Sequence, residues 1–147
     1  MLQAVSYTAD GHPLAVTLAN GAVTTYSYSA ARGWIAGIST ARGAATIQNL
    51  AFSRDARGRI THVNSPWQEE RFTYAYDSFG RLVTATPEVG AASSFTYDAL
   101  GNLTAKDGVA YTYPAAGSPR PHAATAVGSS ALTYDASGNL LSGMGRT

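Results

Sequence analysis

Three aspartates, Asp77, Asp98 and Asp135, are the residues whose chemistry first asks for an explanation. Carboxylates held close together can divide acid and base roles between them, so several Asp in one chain invite a catalytic reading. Each of these, however, follows a tyrosine and precedes a glycine by three residues. Tyr76-Asp77-Ser78-Phe79-Gly80-Arg81-Leu82 matches Tyr97-Asp98-Ala99-Leu100-Gly101-Asn102-Leu103, and again Tyr134-Asp135-Ala136-Ser137-Gly138-Asn139-Leu140. Catalysis needs one asymmetric constellation, and three equivalent slots do not make one. The spacing assigns each carboxylate to a turn instead, where it accepts hydrogen bonds from backbone N–H groups about two residues on.

The other reactive side chains are scattered. His12, His62 and His122 are far apart and have no cysteine or nearby second histidine, so the sequence implies no metal site. No nucleophile elbow, zinc-protease helix, Walker loop or dinucleotide fingerprint is present. The glycines sit in turns with no helix after them to hold a phosphate. We therefore expect no catalytic residues, no cofactor and no enzymatic activity. Aromatic rings are the best remaining candidates for ligand contact, because a ring on a sheet face can stack on a sugar. Trp67, in the polar stretch Ser65-Pro66-Trp67-Gln68-Glu69-Glu70-Arg71, lies outside the repeat pattern and is the first candidate; Trp34 is the second. The competing reading is that the aromatics form a ladder packing the sheet.

The elements that position these residues follow from periodicity. Phe72-Thr73-Tyr74-Ala75-Tyr76 alternates aromatic with small or polar residues, which places its rings on one face of a strand. Phe95 and Tyr97 repeat this, as do Leu132 and Tyr134. Gly80, Gly101 and Gly138 supply the positive φ that closes a short hairpin loop, as a type I turn followed by a left-handed residue. Leu82, Leu103 and Leu140 open the return strand, with Arg or Asn expected at the solvated edge of the turn. Weaker copies are Arg54-Asp55-Ala56-Arg57-Gly58-Arg59-Ile60, Tyr7-Thr8-Ala9-Asp10-Gly11 and the longer stretch from Tyr26 to Ile35. Successive turn glycines, Gly11, Gly33, Gly58, Gly80, Gly101 and Gly138, are spaced by 22, 25, 22, 21 and 37 residues. The last gap implies a looped insertion at about 111–128, which holds Pro114, Pro119 and Pro121. Second turns at Ala19-Asn20-Gly21, Glu88-Val89-Gly90 and Lys106-Asp107-Gly108 complete one hairpin per repeat. Such a unit cannot bury its own apolar face, so neighbours must pair edge to edge. The expected fold is all-β: about six antiparallel hairpins in one long curved or spiralling sheet, a single array over residues 1–147.

Composition agrees. Charged residues make up 13% of the chain, about half the usual share, while Gly numbers 15 and Tyr 9. A net charge of +1 gives no footprint for nucleic acid or anionic membrane. No apolar run reaches the roughly 18 residues of a membrane helix. The absence of cysteine excludes a disulfide framework. The first residues lack the pattern of a signal peptide, and both ends read as cut from something longer.

The motif Tyr-Asp-x-x-Gly-[Arg/Asn]-Leu at this period resembles the YD repeats of bacterial RHS proteins, of Tc toxin C components and of teneurins. The resemblance is specific over 72–104 and 132–140, and the stretch from His122 to Leu140 is similar to the last repeats before a bacterial RHS core region. It implies a spiral β-shell, secreted or cell-surface, that encapsulates a C-terminal toxin or effector polypeptide. The partners implied are the rest of the shell and that cargo. The Asp-Pro-rich signature of the core autoprotease is absent, so that activity is not expected here. A carbohydrate- or protein-binding surface is the alternative, and unpaired edge strands lead us to expect self-association.

Overall fold

A computed structural model of the chain describes residues 1–145; Arg146 and Thr147, which the expected array includes, lie outside the described residues. Thirteen strands follow one another in sequence order across an antiparallel sheet that does not close into a barrel. They are β1 (Leu2–Tyr7), β2 (Pro13–Leu18), β3 (Ala22–Tyr28), β4 (Ile35–Arg42), β5 (Ala45–Arg54), β6 (Ile60–Asn64), β7 (Phe72–Tyr76), β8 (Leu82–Pro87), β9 (Ser93–Tyr97), β10 (Leu103–Lys106), β11 (Val109–Thr112), β12 (Ala126–Val127) and β13 (Ser130–Ala131). β14 (Thr133–Tyr134) and β15 (Leu140–Ser142) form a separate hairpin, and a single 3-10 turn covers Gln68–Glu70. The chain divides into two compact units, Met1–Ala75 with Thr86–Ala91, and Tyr76–Ala85 with Ala92–Thr147.

Strand alternation sorts the side chains. In β7 and β9 the aromatic positions are half-buried and the Thr, Ala and Ser between them exposed. Pairing carries this across the first unit, where Tyr26 faces Ile38, Ile38 faces Leu50, Phe52 faces Val63 and Val63 faces Phe72. One face is thus aromatic and aliphatic, and the other is lined by small side chains such as Thr25, Ser39, Asn49 and Thr73. Among the described residues no second layer covers either face of this unit. Ala22 is the one buried apolar residue among those described, and the chain exposes 9389 Å². A compact chain of 15.3 kDa would expose about 7,100 Å².

The return strands share an irregularity that the motif does not announce. Tyr97 pairs with Leu103 but its neighbour Thr96 pairs with Ala105, so Thr104 is extra. The same slip leaves Leu14, Ala36, Thr61 and Leu141 extra in β2, β4, β6 and β15. In these five hairpins the β-bulge falls at one fixed slot and sharpens the local right-handed twist there.

The expected insertion near 111–128 forms the tip of a hairpin. Its first residues belong to β11, its last to β12, and Tyr111 pairs with Val127 and Thr112 with Ala126. Residues 113–125 are therefore an enlarged turn that closes a hairpin of its own, and the gap of 37 residues conceals one extra hairpin. Proline at 114, 119 and 121 removed the sequence signal by displacing the Tyr-Asp pattern.

Candidate functional site: the repeated Tyr-Asp turn

Each strong copy of the motif folds the same way. Asp98 N–H donates to the Asn102 carbonyl at 3.0 Å and Gly101 N–H to the Asp98 carbonyl at 3.1 Å. Asp77, Gly80 and Arg81, and Asp135, Gly138 and Asn139, repeat both bonds. Gly80, Gly101 and Gly138 have φ of 87°, 87° and 88°, a region that L side chains enter only under strain. The Asp98 carboxylate accepts from the backbone N–H of Leu100 (2.9 Å) and Asn102 (2.8 Å), and from Asn102 Nδ2 (2.9 Å). In the degenerate turns a hydroxyl stands in: Thr8 Oγ1 accepts from His12 N–H and Ser29 Oγ from Trp34 N–H.

The residue after the glycine is drawn in from the solvated edge at Arg59, Arg81 and Asn102, while Asn139 stays exposed there as the sequence suggested. Arg81 grips Asp77 through Nε at 2.7 Å, Arg59 grips Asp55 through Nε at 2.7 Å, and Asn139 holds Asp135 through Nδ2 at 2.9 Å. Asn102 is buried, 6% exposed. These side chains also reach the next turn along. Arg81 Nη1 donates to the Asp98 carbonyl at 3.0 Å and Asn102 Nδ2 to the Pro121 carbonyl at 3.2 Å; Arg120, on the 113–125 turn and outside this slot, donates from Nη1 to the Asp135 carbonyl at 2.7 Å. The guanidinium of Arg81 lies over both Phe79 (5.3 Å) and Tyr97 (4.7 Å). Sequence reasoning missed this because the acceptors are 15 to 19 residues away; the restriction of the slot to Arg or Asn was the available signal.

A second set of bonds runs the other way. Tyr28 OH donates to the Pro13 carbonyl at 2.7 Å, Tyr97 OH to the Leu82 carbonyl at 2.9 Å and Tyr134 OH to the Ala124 carbonyl at 2.9 Å. Pro13 and Leu82 both occupy the leucine slot of the preceding turn. Arg54, which holds the tyrosine slot of its own repeat, sends Nη2 to the Ile35 carbonyl at 3.2 Å. Ile35 is the leucine slot of the repeat before it.

All four carboxylates titrate below their ordinary value. For Asp55 and Asp135 the side-chain hydrogen bond from Arg59 or Asn139 is the main cause. For Asp77 and Asp98 partial desolvation pushes upward, and the combined hydrogen bonds of Arg81 or Asn102 outweigh it. A carboxylate pinned in its charged form by a full set of donors is a poor proton shuttle. Among the described residues no group of three or more His, Cys, Asp or Glu is placed to hold a metal.

The two tryptophans differ. Trp34 is half-buried: Arg32 lies 5.1 Å from its ring centroid, Arg54 6.0 Å, and its edge packs on Gly58. Trp67 is 37% exposed and opens the 3-10 turn, with its N–H on Ser65 Oγ at 3.2 Å. That turn is braced by Ser65 Oγ donating to Glu70 Oε2 (2.7 Å) and by Arg71 paired with Glu88 (3.1 Å). The structure does not bring Trp34 and Trp67 into one site.

A one-layer antiparallel sheet, built from hairpins that lock to their neighbours through identical slots, defines a structural repeat module. The RHS Repeat family profile matches residues 7–46, 54–92 and 76–108, well over half of the chain. This chain belongs to the RHS repeat family. It is similar to toxin subunit YenC2 of Yersinia entomophaga, 28% identical over 145 aligned residues, with 70% of this chain covered. It is also similar to toxin subunit YenC1 of the same organism, 30% identical over 128 residues with 76% covered. The chain spans 15% and 13% of the lengths of those proteins. Among solved structures, a Photorhabdus luminescens Tc holotoxin pore matches 95% of this chain over 10% of its own, at TM-score 0.70 and 19% identity. A TcdB2-TccC3 crystal structure matches equally well, at TM-score 0.70 and 20% identity. At that identity these two matches establish the fold.

Proposed function

We propose that this array is a section of wall in a β-shell that encloses a C-terminal toxin or effector polypeptide, and that it has no catalytic role of its own. The observation that supports this best is the single layer. Within each unit few side chains are fully buried, which fits a partition between two spaces better than a solid core. The similarity to toxin subunits supports cargo of the toxin class, and with it export as part of a delivery system. The turn carboxylates, saturated with hydrogen bonds, fit a scaffold better than a reaction centre.

The test is limited proteolysis of the full-length parent polypeptide. The C-terminal region should resist protease while the wall is intact and become digestible when the hairpin of residues 72–92 is deleted. A C-terminal region digested equally fast in both proteins would overturn enclosure.

A further inference from the structure

The turn of residues 29–34 departs from the motif in the two slots that neutralise each other elsewhere. Asp55 pairs with Arg59 and Asp77 with Arg81, but here Ser29 stands in the Asp slot and Trp34 in the slot after the glycine. The Ser29 hydroxyl oxygen accepts the Trp34 N–H at 3.2 Å, so the turn still closes, now without a carboxylate. Two guanidinium groups gather at the indole: Arg32 lies 5.1 Å from the Trp34 centroid and Arg54 6.0 Å. Neither is ion-paired among the described residues.

The two cations are held differently. Arg54 is half-buried and donates from Nη1 to the Gly58 carbonyl (3.0 Å) and from Nη2 to the Ile35 carbonyl (3.2 Å), while its Nε is sealed from solvent. It contributes charge and no free donor. Arg32 is exposed, and none of its side-chain donors has a hydrogen-bond partner among the described residues. Its contact with the Trp34 ring holds that fork in place. Beside the two guanidinium groups opens a cleft of about 240 Å³, at the turn ends of β4 and β5. Phe52, Ile35 and Ala36 complete its apolar wall, and no carboxylate lines it.

We propose that this cleft binds a small monocarboxylic acid with an aromatic or branched aliphatic body. A carboxylate matches the planar fork of Arg32 with two parallel hydrogen bonds, and Arg54 adds a second positive charge beside it. The body of the acid is buried against Trp34, Phe52 and Ile35. The hydroxyls of a sugar acid or the amides of a peptide would be left unpaired against that apolar wall. At about 240 Å³ the cleft is smaller than a drug-sized pocket, which limits the acid to one ring or one branched chain. The proposal is independent of what the array encloses.

Trp67→Phe leaves Trp34 as the sole tryptophan, so its fluorescence then reports on the cleft directly. Titrating hydrocinnamate should change that emission saturably, and added salt should weaken the binding. The uncharged hydrocinnamide in place of the acid, or Arg32→Gln in the protein, should each weaken binding by about 10-fold, the low end for a hydrogen bond to a charged group. Arg32→Gln should leave Tm unchanged, which separates lost recognition from lost folding. Glucuronate, with the same charge on a polar body, should bind far more weakly than hydrocinnamate. No saturation with hydrocinnamate, equal affinity for the amide or for glucuronate, or unchanged affinity in Arg32→Gln would overturn the proposal. Tighter binding of a short peptide that ends in a free phenylalanine carboxylate would assign the cleft to a chain end and overturn it as well.

Discussion

Asn102 and Asn139 occupy the same slot in two copies of one motif, yet replacing them should have unequal cost. Both donate from Nδ2 to the preceding Asp at 2.9 Å and from the backbone N–H at 2.8 Å. Asn139 makes no other side-chain bond among the described residues and is exposed. Asn102 is buried, donates also to the Pro121 carbonyl at 3.2 Å, and receives His122 Nδ1–H on Oδ1 at 2.7 Å. In a comparison of Asn102→Ala with Asn139→Ala the bond to the carboxylate cancels. Two neutral hydrogen bonds remain, which together are worth about 1–3 kcal/mol. With an m-value of about 2 kcal/mol/M in urea, the midpoint of Asn102→Ala should lie about 1 M below that of Asn139→Ala. Hydrogen exchange adds a local signature, since Asn102 anchors the 113–125 turn. The amides of Ser118 and Ala123, bonded to the Ala115 and Arg120 carbonyls, should lose protection in Asn102→Ala and keep it in Asn139→Ala. Equal midpoints, or unchanged protection of those two amides, would refute the idea that this slot ties one turn to the next.

Gly58 and Gly101 have φ of 86° and 87°, but a Cβ on Gly58 would lie 2.7 Å from the Trp34 ring and one on Gly101 would meet nothing within 4 Å. Gly101→Ala should therefore cost about 1–2 kcal/mol of backbone strain, and Gly58→Ala about 1–3 kcal/mol beyond that from overpacking, read as successive falls in Tm. Asp55, Asp77, Asp98 and Asp135 all have folded values below the ordinary 3.8. Their contribution to stability is complete above that pH and is lost as the pH falls through the lower folded values. Urea midpoints should thus be flat from neutrality to about pH 5 and drop below about pH 4, and replacing the four Asp by Asn should flatten the drop. Titrating simple sugars against Trp67 fluorescence should give no saturable change; a saturable change absent from Trp67→Phe would instead support the surface-binding reading.

The features of this fold that are legible in the sequence are those fixed by local chemistry. The alternation from Phe72 to Tyr76 places strand and face, and Asp with a glycine three residues on specifies the turn whatever lies around it. The slots that couple repeats are not legible, because their meaning depends on register. Arg81 reads as solvated, yet besides gripping Asp77 four residues before it, it reaches the carbonyl of a residue 17 positions on. Arg54 looks like a missing tyrosine, and its guanidinium reaches the leucine-slot carbonyl that a tyrosine would have reached. The extra residue in those five return strands leaves no trace, because a bulge at Thr104 or Leu141 needs no special side chain. The 113–125 turn reads as an insertion because proline hides the hairpin it closes.

The cross-repeat bonds each span one junction, and the sheet has no second layer to share load between distant hairpins. Pulled from its two ends, such a tape should unzip junction by junction, with no single rupture for the whole. A released hairpin of about 21 residues adds about 70 Å of contour length, so a stretched array should give a ladder of roughly equal steps. The same locality lets hairpins be gained or lost by duplication and deletion without reworking those that remain. Length then becomes the variable that evolution can set most freely in a protein built this way.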